Sequence, residues 1–500
     1  MLLLGIDVGT SSVKVSVVDA QSQQCIVSAS YPEQESGIIS KQPGWAEQSP
    51  AMWWEHTQQA IRKAHSTKTY NPKDIAAIGI SYQMHGLVTV DKDGTVLRDS
   101  IIWCDSRAVA IGNKAFDEIG PVKCLQHLLN SPGNFTASKL AWVKQNEPAL
   151  FERIHKIMLP GDYIALQFTG AVTTSISSLS EGVFWDFIRN ELSQDVFDYF
   201  GFSKSVIPDI QDVFSEHGKL EASIAAGLSL TTGIPVTYKA GDQPNNALSL
   251  NVLQAGEVAA TAGTSGVIYA VSDELTFDPQ SRINSFAHVN YKAPSPLERA
   301  GGEVRIGVLL CINGTGILNR WMKNITGNQS YQQMNDAAQK IKIGSDGLFI
   351  LPFGNGAERM LENKIPGAQL QQIDFNVHTP AHLLRASQEG IAFAFRYGLD
   401  IMRENKMNTT IIRAGRANMF LSDVFTECFV NTLNIPVELY NCDGSVGAAI
   451  GAGIGAGIYA NAKDAFTKLK VLATIRPGKS INQYDDLYNE WKALLLKSIK

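Results

Sequence analysis

An aspartate beside a helix start is one of two features of this chain suited to phosphate chemistry. The segment IPVTYKAGDQPNNALSL places Asp242 between a strand pattern and a helix pattern that has Pro244 in its first turn. Open α/β sheets bind ligands at the carboxyl ends of their strands. A carboxylate there can accept the proton of a hydroxyl that attacks phosphorus, and an ordinary helix cap explains it equally simply. We expect the helix N-terminus to keep Asp242 ionised.

The second feature is a turn that occurs twice, as GTSSV at residues 9–13 and as GTSGV at residues 263–267. A strand–Gly–Thr–Ser–strand turn presents backbone N–H groups and two hydroxyls at one tip, which suits phosphate oxygens. Two such turns facing each other across a cleft could bind one polyphosphate from both sides. A single GTS turn is as well explained by the backbone needs of a surface hairpin, so the repetition carries this interpretation.

The two turns differ in the residue that lies two positions before each glycine. Asp7 brings a carboxylate to the first turn, where a hydrated Mg²⁺ bridging phosphates would neutralise it. Its counterpart in the second turn is Thr261, which carries no charge. The sequence therefore predicts that the first turn binds a metal ion and that the second turn binds phosphate alone.

The surrounding segments predict an α/β fold in two halves. The chain has 500 residues, and a single core stops growing at about 250–300, so we expect two closely packed domains at 1–247 and 248–500. Strand patterns alternate with the amphipathic helix AMWWEHTQQAIRKAH in the first half. The second half restarts the hairpin with EVAATAGTSGVIYAVSD and continues into a long helix that begins after Thr379.

Composition excludes several classes of function. A net charge of −5 with dispersed basic residues offers no stripe for nucleic-acid phosphates. Six cysteines without a CxxC pair indicate reduced thiols in a cytoplasmic protein and no disulfide. MLLLGIDVGT lacks the features of a signal peptide. The Gly/Ala segment at 446–460 is shorter than the about 20 residues of a membrane span, so it predicts a helix packed on a sheet.

Taken in order, the motifs resemble the FGGY family of carbohydrate kinases over about the whole chain. They are GIDVGTSSVK, PGWAEQSPAMWW, WCDSR, NFTASKLAWV, LPGDYI, AGDQPNN, AGTSGV and HTPAHLLRASQEG. The resemblance implies two ribonuclease H-like domains, as in actin, hexokinase and Hsp70, that flank a central cleft and close on it. It also implies ATP- and Mg²⁺-dependent phosphorylation of a small-molecule sugar, and a homodimer is common among relatives.

The resemblance also assigns site residues. Asp242 becomes the catalytic base, and Asp7 becomes the acid near Mg²⁺ and phosphate. The motif YQMHG resembles the sugar site of members that phosphorylate the 5-hydroxyl of D-xylulose. The implied sugar-binding residues, which offer hydrogen bonds or apolar cover, are Met84, His85, Trp103 and Gln243. The implied nucleotide-binding residues are Thr10, Ser11, Gly263, Thr264, Gly314, Gly415, Arg416 and Asn418.

Two segments depart from the family pattern. The family usually places a Gly-Gly-Gly-Ala-x-Ser run against adenosine, but this chain has AGRANMFLS, so Arg416 and Asn418 replace small residues. Arg416 could stack on the base or lie solvated at the cleft edge. The segment TTSISSLSEGVFWDF lacks an aspartate often found there. Two alternatives stay open: a kinase of ribulose, gluconate, fuculose or glycerol, and a non-catalytic nucleotide-dependent sugar sensor.

Overall fold

Two mixed β-sheets, one from each half of the chain, organise the protein. The computed structural model describes residues 1–293, 304–327, 329–356 and 358–499. The first sheet has, in spatial order, the strands Val236–Gly241, Ile75–Tyr82, Leu2–Val8, Val13–Asp19 and Cys25–Tyr31. Leu2–Val8 pairs antiparallel with Val13–Asp19 and parallel with Ile75–Tyr82, so the predicted first hairpin is confirmed.

The second sheet repeats this arrangement. In the described residues its spatial order is Asn284–Ala287, Ile306–Ile312, Gly266–Ser272, Glu257–Ala262, Ile411–Gly415, Val437–Tyr440 and Val471–Ile475. Glu257–Ala262 pairs antiparallel with Gly266–Ser272 and parallel with Ile411–Gly415, as its counterpart does in the first sheet. The predicted duplicated α/β architecture with two ribonuclease H-like domains is therefore confirmed, and each GTS turn closes the first hairpin of its sheet.

Helices cover both faces of the first sheet, which explains why its central strands are apolar at nearly every position. Alternate side chains of Leu2–Val8, such as Leu4 and Ile6, pack with the helices Pro50–Ser66 and Pro160–Thr169. On the other face, Leu3 packs with the helix Gly444–Gly455. The predicted amphipathic helix of the first half is thus confirmed.

We call Gly444–Gly455 the return helix, because it comes from the second half of the sequence but packs on the first sheet. A Cβ atom at Gly5 would overlap Ser445 O, and one at Gly79 would overlap Ala448 O. This close approach confirms the prediction of a small-residue helix against a sheet. Within the described residues, no helix is long and apolar enough to cross a membrane. A boundary at 247/248 places the two sheets in different domains, but it separates the return helix in sequence from the sheet on which it packs. This boundary stays a prediction.

Asp242–Ser249, which we call the junction helix, starts directly after the edge strand Val236–Gly241 of the first sheet. It packs against the return helix and ends shortly before the second hairpin begins at Glu257. The sequence predicts a strand at Pro235–Ala240 followed by a helix, and both are confirmed, with the strand shifted by one residue. The junction helix therefore lies where the two halves meet.

Smaller elements complete the fold. Two-stranded sheets pair Glu47–Gln48 with Ser100–Ile101, Val88–Val90 with Lys156–Met158, Thr173–Ser175 with Asp209–Gln211, Trp185–Asp186 with Glu191–Leu192, and Phe349–Phe353 with Gly367–Gln371. The other α-helices of the described residues are Val109–Ile119, Pro121–His127, Thr136–Asn146, Pro148–Phe151, Ile176–Glu181, Gln194–Phe200, Ala222–Gly227, Gly316–Ile325, Tyr331–Gln339, Pro380–Glu404, Asp423–Leu433, Ala462–Ala465 and Ile481–Ser498. All six cysteines lie in the described part of the chain and are free thiols.

Candidate active site

Asp242 is the first residue of the junction helix, at the carboxyl end of a fully buried strand. The preceding Gly241 leaves no room for a side chain, because a Cβ there would lie 2.6 Å from Met84 Cγ and 2.8 Å from Glu181 Oε2. On its other side, the junction helix contacts the strands Glu257–Ala262 and Gly266–Ser272 of the second sheet. Asp242 therefore lies in a cleft between the two sheets.

The protonation of Asp242 differs from the sequence-based expectation. Burial, and then the negative charge of Asp7, raises the pKa of Asp242 to about 7. The prediction that the helix N-terminus keeps this carboxyl fully ionised is wrong, because desolvation and a second carboxylate outweigh the helix dipole. A pKa near neutrality suits a group that takes up a proton during a reaction.

Asp7 lies at the end of Leu2–Val8, and its carboxyl approaches Gly444 at the start of the return helix. Burial raises the pKa of Asp7, and the charge of Asp443 adds to this, while Ser81 and Lys14 lower it. Asp443 caps the return helix by accepting from the N–H of Ser445 at 2.9 Å, and it forms an ion pair with Lys14. The carboxyl groups of Asp7 and Asp443 therefore lie close together beside the first turn.

The donor set at Asp7 fits Mg²⁺. Carboxylate oxygens are the ligands this cation prefers, and a cation here would offset the burial, and after it the charge of a neighbouring aspartate, that raises the pKa of Asp7 and of Asp242. No cluster of three or more His, Cys, Asp or Glu side chains that could hold a metal ion occurs in the described ranges. A cation at Asp7 would therefore take its other ligands from phosphate and water.

The first GTS turn is held by side chains from three other segments. Gln48 Nε2 donates to Thr10 O at 2.8 Å, and Thr10 Oγ1 donates to Gln83 Oε1 at 3.2 Å. Trp103 Nε1 donates to Thr10 Oγ1 at 3.0 Å. Ser11 is exposed at the tip. The structure thus brings Thr10 and Trp103 together, although the sequence assigned them to different ligands.

The second GTS turn is fixed by the helix Gly316–Ile325. The N–H of Gly316 donates to Gly263 O at 2.7 Å, and the N–H of Ile317 donates to Thr264 O at 3.1 Å. Asn418 reaches the same turn, since a Cβ at Gly263 would lie 3.5 Å from Asn418 Nδ2.

A pocket of about 300 Å³ adjoins this turn. Its lining is mostly apolar: Gly314, Ile317, Leu318, Trp321, Pro352, Gly354, Asn355 and Ala368. Arg416 is exposed, and its N–H donates to Tyr440 O at 2.8 Å, so the edge after Gly415 is open to solvent. The dimensions and apolar walls of the pocket suit a flat aromatic group such as a nucleobase.

The junction helix connects these parts. Asn246 Nδ2 donates to Thr261 Oγ1 at 3.2 Å, which joins the helix to the second hairpin. Asn245 Nδ2 donates to Gly444 O at 2.9 Å, which joins it to the return helix beside Asp7. The junction helix, which begins with Asp242, therefore connects the return helix beside the first turn to the hairpin of the second turn.

Both the backbone and the ring of His85 are held in place by Glu181. Its φ of 61° is unusual for a residue with a side chain. Its backbone N–H donates to Glu181 Oε1 at 3.2 Å, and its Nδ1 bonds Glu181 O at 3.1 Å. Burial lowers the pKa of His85 to about 3, so the ring is neutral. Because a carbonyl only accepts, Nδ1 carries the proton and Nε2 offers a lone pair.

The other predicted sugar-binding residues offer matching chemistry. Gln243 Oε1 is buried and has no hydrogen-bond partner among the described residues. Met84 is buried beside Gly241, whereas the Trp103 ring is half exposed. A polyhydroxy ligand can donate hydrogen bonds to the unpaired acceptor and to the neutral imidazole. Its C–H groups can pack on the two apolar surfaces.

Sequence reasoning missed four charged residues near the cleft. Glu181 and Lys139 are buried around His85, and Lys139 Nζ donates to His85 O at 2.7 Å. Arg359, from the second half, donates from Nη2 to Ser131 Oγ at 2.9 Å. The fourth is Asp443. Its Asp-Gly-Ser context before a Gly/Ala helix is a cap signature that could have revealed it. A lone acid between a serine-rich stretch and an apolar run was a weaker signal for Glu181.

Comparisons with known proteins agree with this geometry. The profile of the FGGY family of carbohydrate kinases, N-terminal domain, matches residues 2–249. The xylulose kinase of Bacillus subtilis is 28% identical over 503 residues, covering 98% of this chain and 96% of that protein. The crystal structure of xylulose kinase from Rhodospirillum rubrum superposes with a TM-score of 0.87 at 25% identity, covering 99% of both chains.

A third comparison concerns the fold alone. The structure of gluconate kinase from Lactobacillus acidophilus has a TM-score of 0.89 at 20% identity, covering 100% of this chain and 98% of that one. The match to the family profile, the full-length relatives and the duplicated fold lead to one conclusion. The chain belongs to the FGGY family of carbohydrate kinases and is an ATP-dependent sugar kinase.

Proposed function

We propose that this kinase transfers the γ-phosphoryl group of ATP to the 5-hydroxyl of D-xylulose, giving D-xylulose 5-phosphate and ADP, with Asp242 as the base. The observation that carries the proposal is the position of Asp242, which directly follows Gly241, the residue packed against Met84, and whose pKa is raised by burial and by the charge of Asp7. The relatives named xylulose kinase support this choice of sugar.

The sugar-side residues have separate roles in this proposal. His85 Nε2 and Gln243 Oε1 accept hydrogen bonds from sugar hydroxyls, since neither atom has a partner among the described residues. Met84 and the half-exposed Trp103 cover the C–H face of the sugar. These contacts orient the 5-hydroxyl toward Asp242.

The nucleotide side uses the two turns. Backbone N–H groups and hydroxyls of Thr10, Ser11, Gly263 and Thr264 bind phosphate oxygens from opposite sides. The pocket at Gly314 takes the base, and Gly415, Arg416 and Asn418 form its outer edge. Asp7 holds Mg²⁺, which supplies neutralisation of phosphate charge when bound.

The transfer follows from this placement. The oxygen of the 5-hydroxyl forms a bond to the γ-phosphorus as the bond from γ-phosphorus to the bridging oxygen of ADP breaks. The proton of the hydroxyl passes to Asp242, whose pKa of about 7 suits that step. Closure of the two halves excludes water, the competing acceptor.

A coupled assay of ADP formation over a sugar panel tests the substrate. The panel contains D-xylulose, D-ribulose, gluconate, fuculose and glycerol, and we expect the highest kcat/KM with D-xylulose. A higher kcat/KM with another member would assign the chain to that sugar instead. Absence of ADP formation with every sugar would favour the non-catalytic sensor. The cytoplasmic location and the homodimer remain predictions.

A further inference from the structure

Glu181 is a buried carboxyl group that the proposed reaction does not use. It ends the helix Ile176–Glu181 and is 1% exposed. Buried glutamates are rare because the loss of hydration is costly unless their oxygens are bound. The two oxygens of Glu181 are in different situations, and the difference indicates a role.

Oε1 belongs to the framework of the site. It accepts from the backbone N–H of His85 at 3.2 Å, while the backbone oxygen of Glu181 bonds His85 Nδ1 at 3.1 Å. Lys139 Nζ completes the arrangement by donating to His85 O at 2.7 Å. These three bonds hold the positive-φ conformation of His85, which is unfavourable for a residue with a side chain when unsupported.

Oε2 is directed at the sugar side of the cleft. It is 2.8 Å from the position that a Cβ of Gly241 would occupy, next to Asp242 and Met84. Among the described residues it has no hydrogen-bond partner, and no cation forms a salt bridge with it. A polar atom in such a place binds a ligand group or water.

The charge around Glu181 favours an uncharged ligand. Burial raises the pKa of Glu181 well above its usual range, and the charges of Asp242 and Asp162 raise it further. The hydrogen bond from the His85 N–H and the charge of Lys139 lower this pKa, but by less. A neutral carboxyl group both donates and accepts hydrogen bonds, as a hydroxyl does. An aldonate would place its carboxylate in this buried site beside Asp242, where the loss of hydration and the negative charge of Asp242 both cost free energy.

We propose that Glu181 determines the specificity of the kinase for an uncharged polyhydroxy acceptor: its Oε2 binds one hydroxyl of the sugar, while its Oε1 and backbone oxygen position His85. This proposal rests on the proposed function, because it names a further contact in the same sugar site. It predicts that the enzyme distinguishes sugars partly by a hydroxyl other than the one that is phosphorylated.

Deoxy analogues of the acceptor test the contact. The substrates are D-xylulose and its analogues that lack the hydroxyl at C1, C3 or C4, assayed with wild type, Glu181→Gln and Glu181→Met. We expect the kcat/KM of wild type to be at least tenfold lower with one of these analogues than with D-xylulose, because a site built to bind a hydroxyl discriminates against a substrate that lacks it. That loss shrinks at least fivefold in Glu181→Met, whereas Glu181→Gln, whose amide can still donate to the hydroxyl, keeps most of it, and the KM for ATP stays unchanged in both.

Glu181→Gln keeps an oxygen for the N–H of His85 and a donor in the place of Oε2, so it is the conservative variant that should restore both roles. Glu389→Gln is the matched control. Glu389 is also buried, but it is held by Arg385 and the N–H of Gly344 in the second half. We expect this control to keep the wild-type analogue losses.

Unchanged losses for all analogues in Glu181→Met would overturn the specificity role and leave Glu181 with His85 alone. A failed proposed function gives a different result, because wild type itself would then phosphorylate D-xylulose less well than another member of the panel, or not at all.

Discussion

Trp103 Nε1 donates a hydrogen bond to Thr10 Oγ1 at 3.0 Å, so a residue of the sugar side and a residue of the phosphate turn share one contact. The Trp103→Phe variant keeps an aromatic ring and removes the donor. One hydrogen bond contributes about 0.5–1.5 kcal/mol, so we expect a roughly 2- to 12-fold fall in kcat/KM for ATP. Steady-state kinetics measure this fall.

A double-mutant cycle separates this bond from other effects. Thr10→Val removes the acceptor together with the bond from Thr10 to Gln83, and the double variant should lose little beyond Thr10→Val alone, because the bond to Trp103 is already absent there. Trp54→Phe is the control, since Trp54 packs on Phe168 under an outer helix. Fully additive losses would show that the bond does not couple the two sides.

Asp7→Asn tests the acid of the first turn. The variant removes the negative charge that we assign to Mg²⁺, so half-maximal activity should require several-fold more Mg²⁺ at fixed ATP. A titration of activity against Mg²⁺ measures this shift. Asp19→Asn is the control, because Asp19 lies at the far end of the same hairpin and bonds Ser22. An unchanged Mg²⁺ dependence in Asp7→Asn would remove Asp7 from the site.

Asp278 gives a prediction about stability and pH. Burial raises its pKa, but bonds from Arg282 and Asn405 outweigh this and hold the pKa below the ordinary 3.8. A lowered pKa stabilises the fold above the ordinary value, and the contribution is lost as the pH falls through the lowered one. At pH 7, Asp278→Asn should lower the free energy of unfolding by about 1–3 kcal/mol.

Urea unfolding between pH 7 and pH 3 checks this prediction. The difference between wild type and Asp278→Asn should narrow as the pH falls below 3.8. A difference that stays constant over this range would mean that Asp278 carries no charge-dependent stabilisation.

The fold could be predicted well because its signals are local. Both hairpins, the junction helix and the long helix Pro380–Glu404 follow from apolar periodicity and from Gly or Pro at turns and helix starts. The return helix was predicted to pack on a sheet. Its partner could not be predicted, because the contact between Gly79 and Ala448 joins distant segments.

The site could be predicted only where residues act next to their own turn or strand end. Asp7 and Asp242 carry such signals in their segments. Glu181 and Lys139 do not, since their roles depend on His85 reaching them from another strand end. The protonation of Asp242 was predicted wrongly for the same reason: helix position is local, whereas burial and the charge of Asp7 depend on the folded chain.

The account depends most on Asp242 accepting the proton of the sugar hydroxyl. The direct measurement is kcat of Asp242→Asn with ATP and D-xylulose, beside calorimetric titration of ATP. We predict ATP affinity within about threefold of wild type and a fall in kcat of roughly 10²- to 10⁴-fold, the range of a lost general base. A variant that binds ATP and keeps more than about a tenth of wild-type turnover would contradict this role.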